Sequence, residues 1–239
     1  MKNLFLFLFL LVVFTSKAQD NRVSGLNSRQ FTKYWKVESE SPDYKVTFQG
    51  DTAEIVSPKG LTLWRKEKMS GKVTIEYDAC VVVESDGDRL SDLNCFWMAS
   101  DPQYPDNLWK REKWRSGIFL NCYSLQLYYL GYGGNHNSTT RFRRYDGDES
   151  GITNPKARPA ILKEYTDAGH LLKPNHWYHI KITNENNRVS YYIDGERLVD
   201  FRDAEPLREG WFGFRTTLSR TRITNFSYEC SSQEATAVP

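Results

Sequence analysis

The sequence has 239 residues, 39% hydrophobic and 26% charged, with 32 Lys+Arg against 30 Asp+Glu. That near-balance excludes a nucleic-acid or membrane partner held by bulk charge, so any electrostatic preference must be local. The length suits one large all-β domain or two small ones, and it is enough to bury a core without disulfide staples.

The chain opens with Lys2, an unbroken apolar run from Leu4 to Phe14, and the small residues Ser16 and Ala18 around Lys17. This pattern predicts a signal peptide over residues 1–18, cut after Ala18. The run is too short to span a bilayer comfortably, and no cysteine near the cut offers a lipid anchor. An exported protein is expected, periplasmic or extracellular, with no membrane anchor. With Lys2 and Lys17 removed, basic and acidic residues are equal in number.

Helical periodicity is nearly absent, and short alternating runs dominate. Strands are predicted at Lys45 to Phe48, Ala53 to Val56, Leu61 to Trp64, Val73 to Val83 and Cys95 to Ala99. Others follow at Ile118 to Asn121, Leu125 to Tyr132 and Thr139 to Arg144. Trp177 to Thr183, Val189 to Ile193 and Leu198 to Phe201 read as successive hairpin strands, with Asp194-Gly195 as a two-residue turn. Trp211 to Arg215 and Arg222 to Tyr228 complete the set. So many strands without crossover helices predict an all-β fold, a two-sheet antiparallel β-sandwich or jelly roll with long loops. Residues 19–230 read as a single domain and 231–239 as a flexible tail. Two linkers, Ser100 to Ser116 and Asp146 to Pro174, are long enough to carry function. Export admits disulfides among Cys80, Cys95, Cys122 and Cys230; no C-x-x-C suggests zinc or redox chemistry.

The stretch "GYGGNHNSTTRFRRYDG", Gly131 to Gly147, gathers flexible backbone, amides and fixed positive charge. Asn135 and Asn137 can each donate to and accept from sugar hydroxyls. Arg141 and Arg143 lie two apart on a strand and share a face, as two guanidinium forks suited to a carboxylate or sulfate. Trp109 and Trp114, in the basic linker, and Trp97 offer rings for a sugar to stack on. These residues, with Glu164, form the expected substrate-binding set for a polysaccharide or oligosaccharide, anionic in one reading. Arginines on a solvated strand face and tryptophans in a core would explain the same residues without a ligand.

A catalytic reading is also available. His136, Tyr132 and Arg141 suit β-elimination from a uronic acid. Arginine neutralises the carboxylate, histidine or tyrosine takes the acidified proton, and tyrosine protonates the leaving oxygen. Hydrolysis would need two flanking carboxylates. Glu76 and Asp78 share a face, but Val81 stands at the third acidic position of the family-16 glycoside hydrolase pattern. No cofactor is expected. Asp146-Gly147-Asp148-Glu149-Ser150 offers oxygens of the kind calcium prefers, without EF-hand spacing, and a bare acidic turn accounts for it better.

Taken together, "LNCFWMASDP", the Gly131–Gly147 stretch, "WYHIKI…VSYYIDGERLVDF" and "GWFGFRTTLSRTRITNF" resemble an exported concanavalin-A-like jelly-roll family. That family is found among bacterial polysaccharide-degradation genes. The resemblance implies a two-sheet sandwich with a ligand groove, and carbohydrate work outside the cytoplasm. It implies Gly133, Gly134, Asn135, Asn137, Thr139, Thr140, Arg141 and Arg143 as site positions. The expected function is a polysaccharide lyase or related glycan-cleaving enzyme on a uronic-acid glycan. The alternatives are a non-catalytic glycan-binding module, and a glycoside hydrolase or enzyme acting on oxidised disaccharides.

Overall fold

Period-two alternation carries through to three dimensions. In the run from Tyr178 to Glu185, Tyr178, Ile180 and Ile182 are buried while His179 between them is exposed. A computed structural model describes residues 23–231. The signal peptide expected over 1–18 and the tail beyond Ser231 lie outside the described residues; Ser231 itself ends a strand.

The strands in chain order begin with β1 (Val23–Ser24), β2 (Trp35–Ser39), β3 (Lys45–Gln49), β4 (Thr52–Arg65) and β5 (Met69–Ser70). Next come β6 (Lys72–Val81), β7 (Leu93–Ser100), β8 (Gln126–Gly133), β9 (Thr139–Asp146) and β10 (Lys163–Tyr165). The last are β11 (Tyr178–Glu185), β12 (Arg188–Ile193), β13 (Glu196–Arg202) and β14 (Glu209–Ser231). The pairing makes an antiparallel sandwich of two layers. The front layer runs β10, β9, β8, β7, the first half of β14, the second half of β4, and β2. The back layer runs β13, β12, β11, β6, the second half of β14, the first half of β4, and β3.

Two long strands therefore pass through both layers. The β4–β14 register slips between Thr217 and Ser219, where Leu218 adopts a left-handed φ of 50°. The sequence reading divided each of these strands in two, because the polar residues at the bend interrupt the alternation. Ile118 to Asn121 is not a strand. Ser116 and Gly117, at φ 47° and 69°, turn the chain, and Leu120–Ser124 is a 3-10 turn.

The inter-layer core holds Trp35, Tyr77, Trp97, Tyr128, Phe142 and Tyr191 among others. A second cluster lies on the outward face of the front layer. There Trp64, Phe96, Leu127, Tyr145 and Trp211 are covered by Leu108 and Cys122 from the segment between β7 and β8. Arg115 anchors that segment. It is fully buried, pairs with Glu38 on β2 at 3.0 Å and donates to the Leu108 carbonyl at 2.7 Å. All four cysteines are free thiols, and burial pushes Cys95 and Cys122 up to about 12.

Glu54 ties the bend together from the back layer, pairing with Arg220 at 2.9 Å and Arg222 at 2.8 Å. Burial alone would raise its carboxyl, but the two arginine hydrogen bonds win and hold it low. Its stabilising effect is thus present above the unfolded carboxylate pKa, near 4.3, and is lost as pH falls through the folded value. Glu54→Gln should cost about 1 kcal/mol or less at pH 7 and nothing in acid. Urea midpoints of the two proteins from pH 7 to pH 3 should converge.

Candidate functional site

Strand register lays side chains out in rows across the front layer. One row passes from Arg141 on β9 to Gly131 on β8, Asn94 on β7 and Arg215 on β14. Glu164 on β10 continues it beyond Arg141, and Thr62 then Glu38 continue it beyond Arg215. Neighbouring strands lie about 4.8 Å apart, so the backbones of Arg141 and Arg215 are roughly 14 Å apart. Alternation points this row outward, on the side of Tyr129, Arg143 and the second apolar cluster.

The covering segment leaves part of this face open. The opening is a groove of about 340 Å³ lined by Asp92, Asn94, Tyr129, Gly131, Arg143 and Arg215. Arg89, Arg141, Asn135, Glu40 and Thr217 also border it, and Phe119 and Tyr123 reach it from the covering segment. Gly131 is glycine for a reason of space. A Cβ there would stand 2.3 Å from the Tyr129 hydroxyl, which lies across it.

Asp92 organises one side. It is buried and left-handed at φ 66°, a strained state for a non-glycine residue that neighbours must hold in place. Its carboxylate pairs with Arg89 at 2.9 Å and accepts from the Ser91 hydroxyl at 2.8 Å. It also accepts from the Asn94 amide nitrogen at 3.2 Å. That contact turns the Asn94 Oδ1 away from Asp92. Asn94 is 6% exposed, and this buried oxygen has no partner. A buried acceptor left unpaired costs about 1–3 kcal/mol, so the position suits a ligand hydroxyl.

Arg215 is 3% exposed and donates through Nη1 to the Gly117 carbonyl at 2.5 Å and to Thr62 at 3.4 Å. Burial raises the Tyr129 hydroxyl well above the ordinary phenol range; Asp92 adds to this, and Arg215 and Arg143 oppose it. Tyr129 is therefore a hydrogen-bond donor at neutral pH.

The residues expected from sequence divide between this groove and other places. Arg141, Arg143 and Asn135 border it. Arg141 gives its Nε to Glu164 at 2.5 Å, which makes Glu164 the partner of Arg141 instead of a separate ligand contact. Arg143 spends Nη1 on the Pro159 carbonyl. Asn135, His136 and Asn137 form a left-handed turn at φ 52°, 59° and 57°. Asn137 is a structural staple, accepting from the Leu172 N–H at 2.8 Å and donating to the Leu172 carbonyl at 2.9 Å. His136 is exposed on that turn and does not line the groove.

Tyr132 differs from expectation more sharply. Alternation places it on the inner face, with Tyr128 and Leu130, at 2% exposure. Its hydroxyl donates to the Leu171 carbonyl at 3.3 Å, and burial pushes its pKa far above the phenol range. The expected trio of His136, Tyr132 and Arg141 therefore does not meet. Trp97 is fully buried in the inter-layer core, where no sugar reaches it. Trp109 is half-buried edge-on to Trp211, and Trp114 is exposed beneath the Arg111 guanidinium; neither lines the groove.

A family model, described as a domain of unknown function (DUF6250), matches residues 55–226. The chain belongs to the DUF6250 family. No curated protein sequence matches it. Among solved structures, a Bacillus subtilis protein of unknown function with a galectin-like fold aligns with a TM-score of 0.66 at 15% identity, covering 84% of this chain and 91% of that one. The carbohydrate binding module CBM66 from Bacillus subtilis aligns with a TM-score of 0.53 at 15% identity, covering 82% of this chain and 94% of that one. The exoplasmic/lumenal domain of VIP36 in a Ca²⁺/Man2-bound form gives 0.59 at 10% identity, covering 89% of this chain and 87% of that one. At these identities the likeness establishes the shared jelly-roll fold.

Other acidic groups of this DUF6250 domain are committed elsewhere. Glu76 pairs with Lys181 at 3.1 Å; Asp78 contacts His179 at 2.7 Å and accepts from Asn225 at 2.6 Å, on the outward face of the back layer. In the acidic turn after β9, Asp148 accepts from the Ser150 N–H and hydroxyl, while Glu149 pairs with Arg111. Among the described residues, no three His, Cys, Asp or Glu side chains gather as a metal site. No helix among them is long and apolar enough to cross a membrane.

Proposed function

We propose that this chain is an exported, non-catalytic glycan-binding module that holds an oligosaccharide in the front-layer groove. The observation that carries the reading is the groove's polar set. A buried Asn94 oxygen without a partner, a donor hydroxyl on Tyr129 and fixed guanidinium groups converge on one opening. Sugars present matched donors and acceptors on adjacent hydroxyls, and side-chain amides and phenols meet both.

Binding is favoured over elimination because the proton-transfer residues lie apart. Tyr132 is beneath the sheet, His136 is outside the groove, and Tyr129 is held protonated. The folds it resembles include a carbohydrate binding module and a mannose-bound lumenal domain, which agrees with this choice. The apolar start of the sequence supports export.

A glycan array followed by affinity electrophoresis tests the reading. Retention is expected on at least one polysaccharide, which is recovered at unchanged length. Asn94→Ala should weaken that retention about tenfold, the loss of one buried hydrogen bond. Appearance of unsaturated product or new reducing ends would replace binding with catalysis.

A further inference from the structure

His170 closes a short 3-10 turn, Ala168–His170, in the segment that leads from β10 to β11. Both of its ring nitrogens face carboxylates. Nδ1 lies 2.8 Å from either oxygen of Asp167, and Nε2 lies 3.2 Å from Glu196 at the start of β13. An ionised carboxylate only accepts hydrogen bonds, so the imidazolium, donating from both nitrogens, is the form that satisfies both contacts. A neutral ring has one N–H and leaves its bare nitrogen against a carboxylate. The ring also stacks on Tyr165 of β10, 4.1 Å between centres and 25° between planes. It thus ties the front layer to the back one.

The backbone beside this ring holds one border of the groove. The His170 carbonyl accepts from the Thr140 hydroxyl at 2.6 Å, and the same hydroxyl oxygen accepts from the Gly133 N–H at 3.2 Å. Two residues on, Leu172 clamps Asn137 through its N–H and carbonyl, and it fills the space where a side chain at Gly133 would stand. Gly134, Asn135 and Thr139, which line the groove, lie between these fastenings.

Resting on the glycan reading, we propose that His170 is a pH-operated latch on that border. As the imidazolium it fastens the segment from Asp167 to Leu172 onto β13 and holds the turn in its binding shape. As the neutral imidazole it lets go of one carboxylate, and the turn gains freedom. Partial burial lowers the His170 pKa, but the hydrogen bonds to Asp167 and Glu196 outweigh it, and the net shift is upward. His170 in turn holds the Asp167 carboxyl low. A raised histidine stabilises in full below its unfolded value, near 6.5, and the benefit is lost as pH rises through the folded value. The lowered Asp167 sets the other limit: its contribution holds above the unfolded value, near 3.9, and is lost as pH falls through the folded one. The latch is therefore shut in mildly acidic solution and opens as pH rises through the raised histidine value. The other charged or titratable neighbours are Lys163, over the Tyr165 ring at 4.9 Å, and Tyr132, Lys173, His176, Tyr178 and Asp194 around the small cavity that the imidazole borders. Asp194 faces His176 at 3.6 Å and accepts from the His179 N–H at 2.8 Å, so Glu196 is the acid of that cavity's back-layer wall that serves His170.

Nuclear magnetic resonance reads the latch without a ligand. The protein would carry His136→Asn, because a second imidazole in the turn itself would mask the signal. The His170 ring should titrate above the ordinary value near 6.5, and the amide signals of Asn135, Thr139 and Thr140 should move with the same midpoint. Glu196→Gln should lower that midpoint, and His170→Gln should abolish the amide movement. Amides that stay still while the ring titrates would overturn the latch. Affinity electrophoresis through gels of polygalacturonate, galactomannan or arabinoxylan then connects it to the groove. Retention should be about two- to fivefold tighter at pH 5.5 than at pH 9, the range that an exposed charge pair provides, and His170→Gln should bind equally at both. Equal retention of the unmodified protein at both pH values, or an unchanged pH dependence in His170→Gln, would overturn the regulation and leave the glycan reading in place. Retention on no polymer at either pH would overturn the glycan reading itself, whatever the ring titration shows.

Discussion

Replacing Arg115 with alanine should cost about 3–5 kcal/mol of unfolding free energy at pH 7, read as a fall in the urea midpoint. The arginine is fully buried, meets Glu38 through Nη2 at 3.0 Å and through Nε at 3.3 Å, and lies 3.7 Å from Asp101. Its removal strands Glu38, which is 5% exposed, as a buried carboxylate without its main partner. Burial already raises the Glu38 carboxyl above its ordinary value against the pull of Arg115. Without that pull the group protonates more readily in the fold. A raised carboxyl favours the fold below its unfolded pKa, near 4.3, and the benefit is lost as pH rises through the folded value. The deficit of the variant should therefore shrink in acid. Pairing the change with Glu38→Gln should recover much of the loss at neutral pH. A single substitution costing under about 1 kcal/mol would show that the covering segment is held by its apolar contacts alone. Because Phe119 and Tyr123 belong to that segment and reach the groove, the same variant should also bind ligand more weakly.

Trp97→Ala should be comparably destabilising, about 3–5 kcal/mol, whereas Trp114→Ala should stay within about 0.5 kcal/mol. In the sequence Trp97 lies in the apolar run Cys95-Phe96-Trp97-Met98 and Trp114 in a basic linker, yet both are expected to stack against a sugar. Trp97 is fully buried, with Tyr128 at 5.7 Å, Phe142 at 6.0 Å and Tyr191 at 6.1 Å between ring centres. Trp114 is 43% exposed. Chemical denaturation of both variants, followed by far-ultraviolet circular dichroism, separates them. A mild effect at Trp97 would mean that the inter-layer core repacks around a large void.

Strand positions were readable wherever one face is dry and the other wet, because alternation then has a period of two. The hairpins from Tyr178 to Phe201 are the clearest instance, and Asp194-Gly195 does take left-handed φ values of 50° and 84°. The same parity argument contained more than was drawn from it. Arg141 and Arg143 share their face with Tyr129 and Gly131, and Tyr132 falls on the opposite one. Asn94, Asp92 and Arg215 were harder to find. Asn94 and Arg215 are single polar residues at the ends of apolar strands. Their meeting depends on pairing between segments more than a hundred residues apart, which no local pattern encodes. The left-handed turn at Asn135–Asn137 was recognisable as a concentration of glycine and asparagine, residues that tolerate positive φ. That its second asparagine serves Leu172 instead of a ligand follows only from how the long linker packs.

In an ordinary sandwich the two sheets touch only through interdigitating side chains. Here β4 and β14, hydrogen-bonded neighbours, cross from one layer to the other together, so the backbone itself forms a hinge-less spine on that side. The opposite border is fastened by side chains alone: the Arg144–Asp203 ion pair at 2.8 Å, the Tyr165 hydroxyl on the Leu198 carbonyl at 2.7 Å and Phe142 against Phe201. The molecule is thus built like a book. Arg215 is set at the binding, on a strand shared by both layers, and Arg141 sits toward the fore-edge.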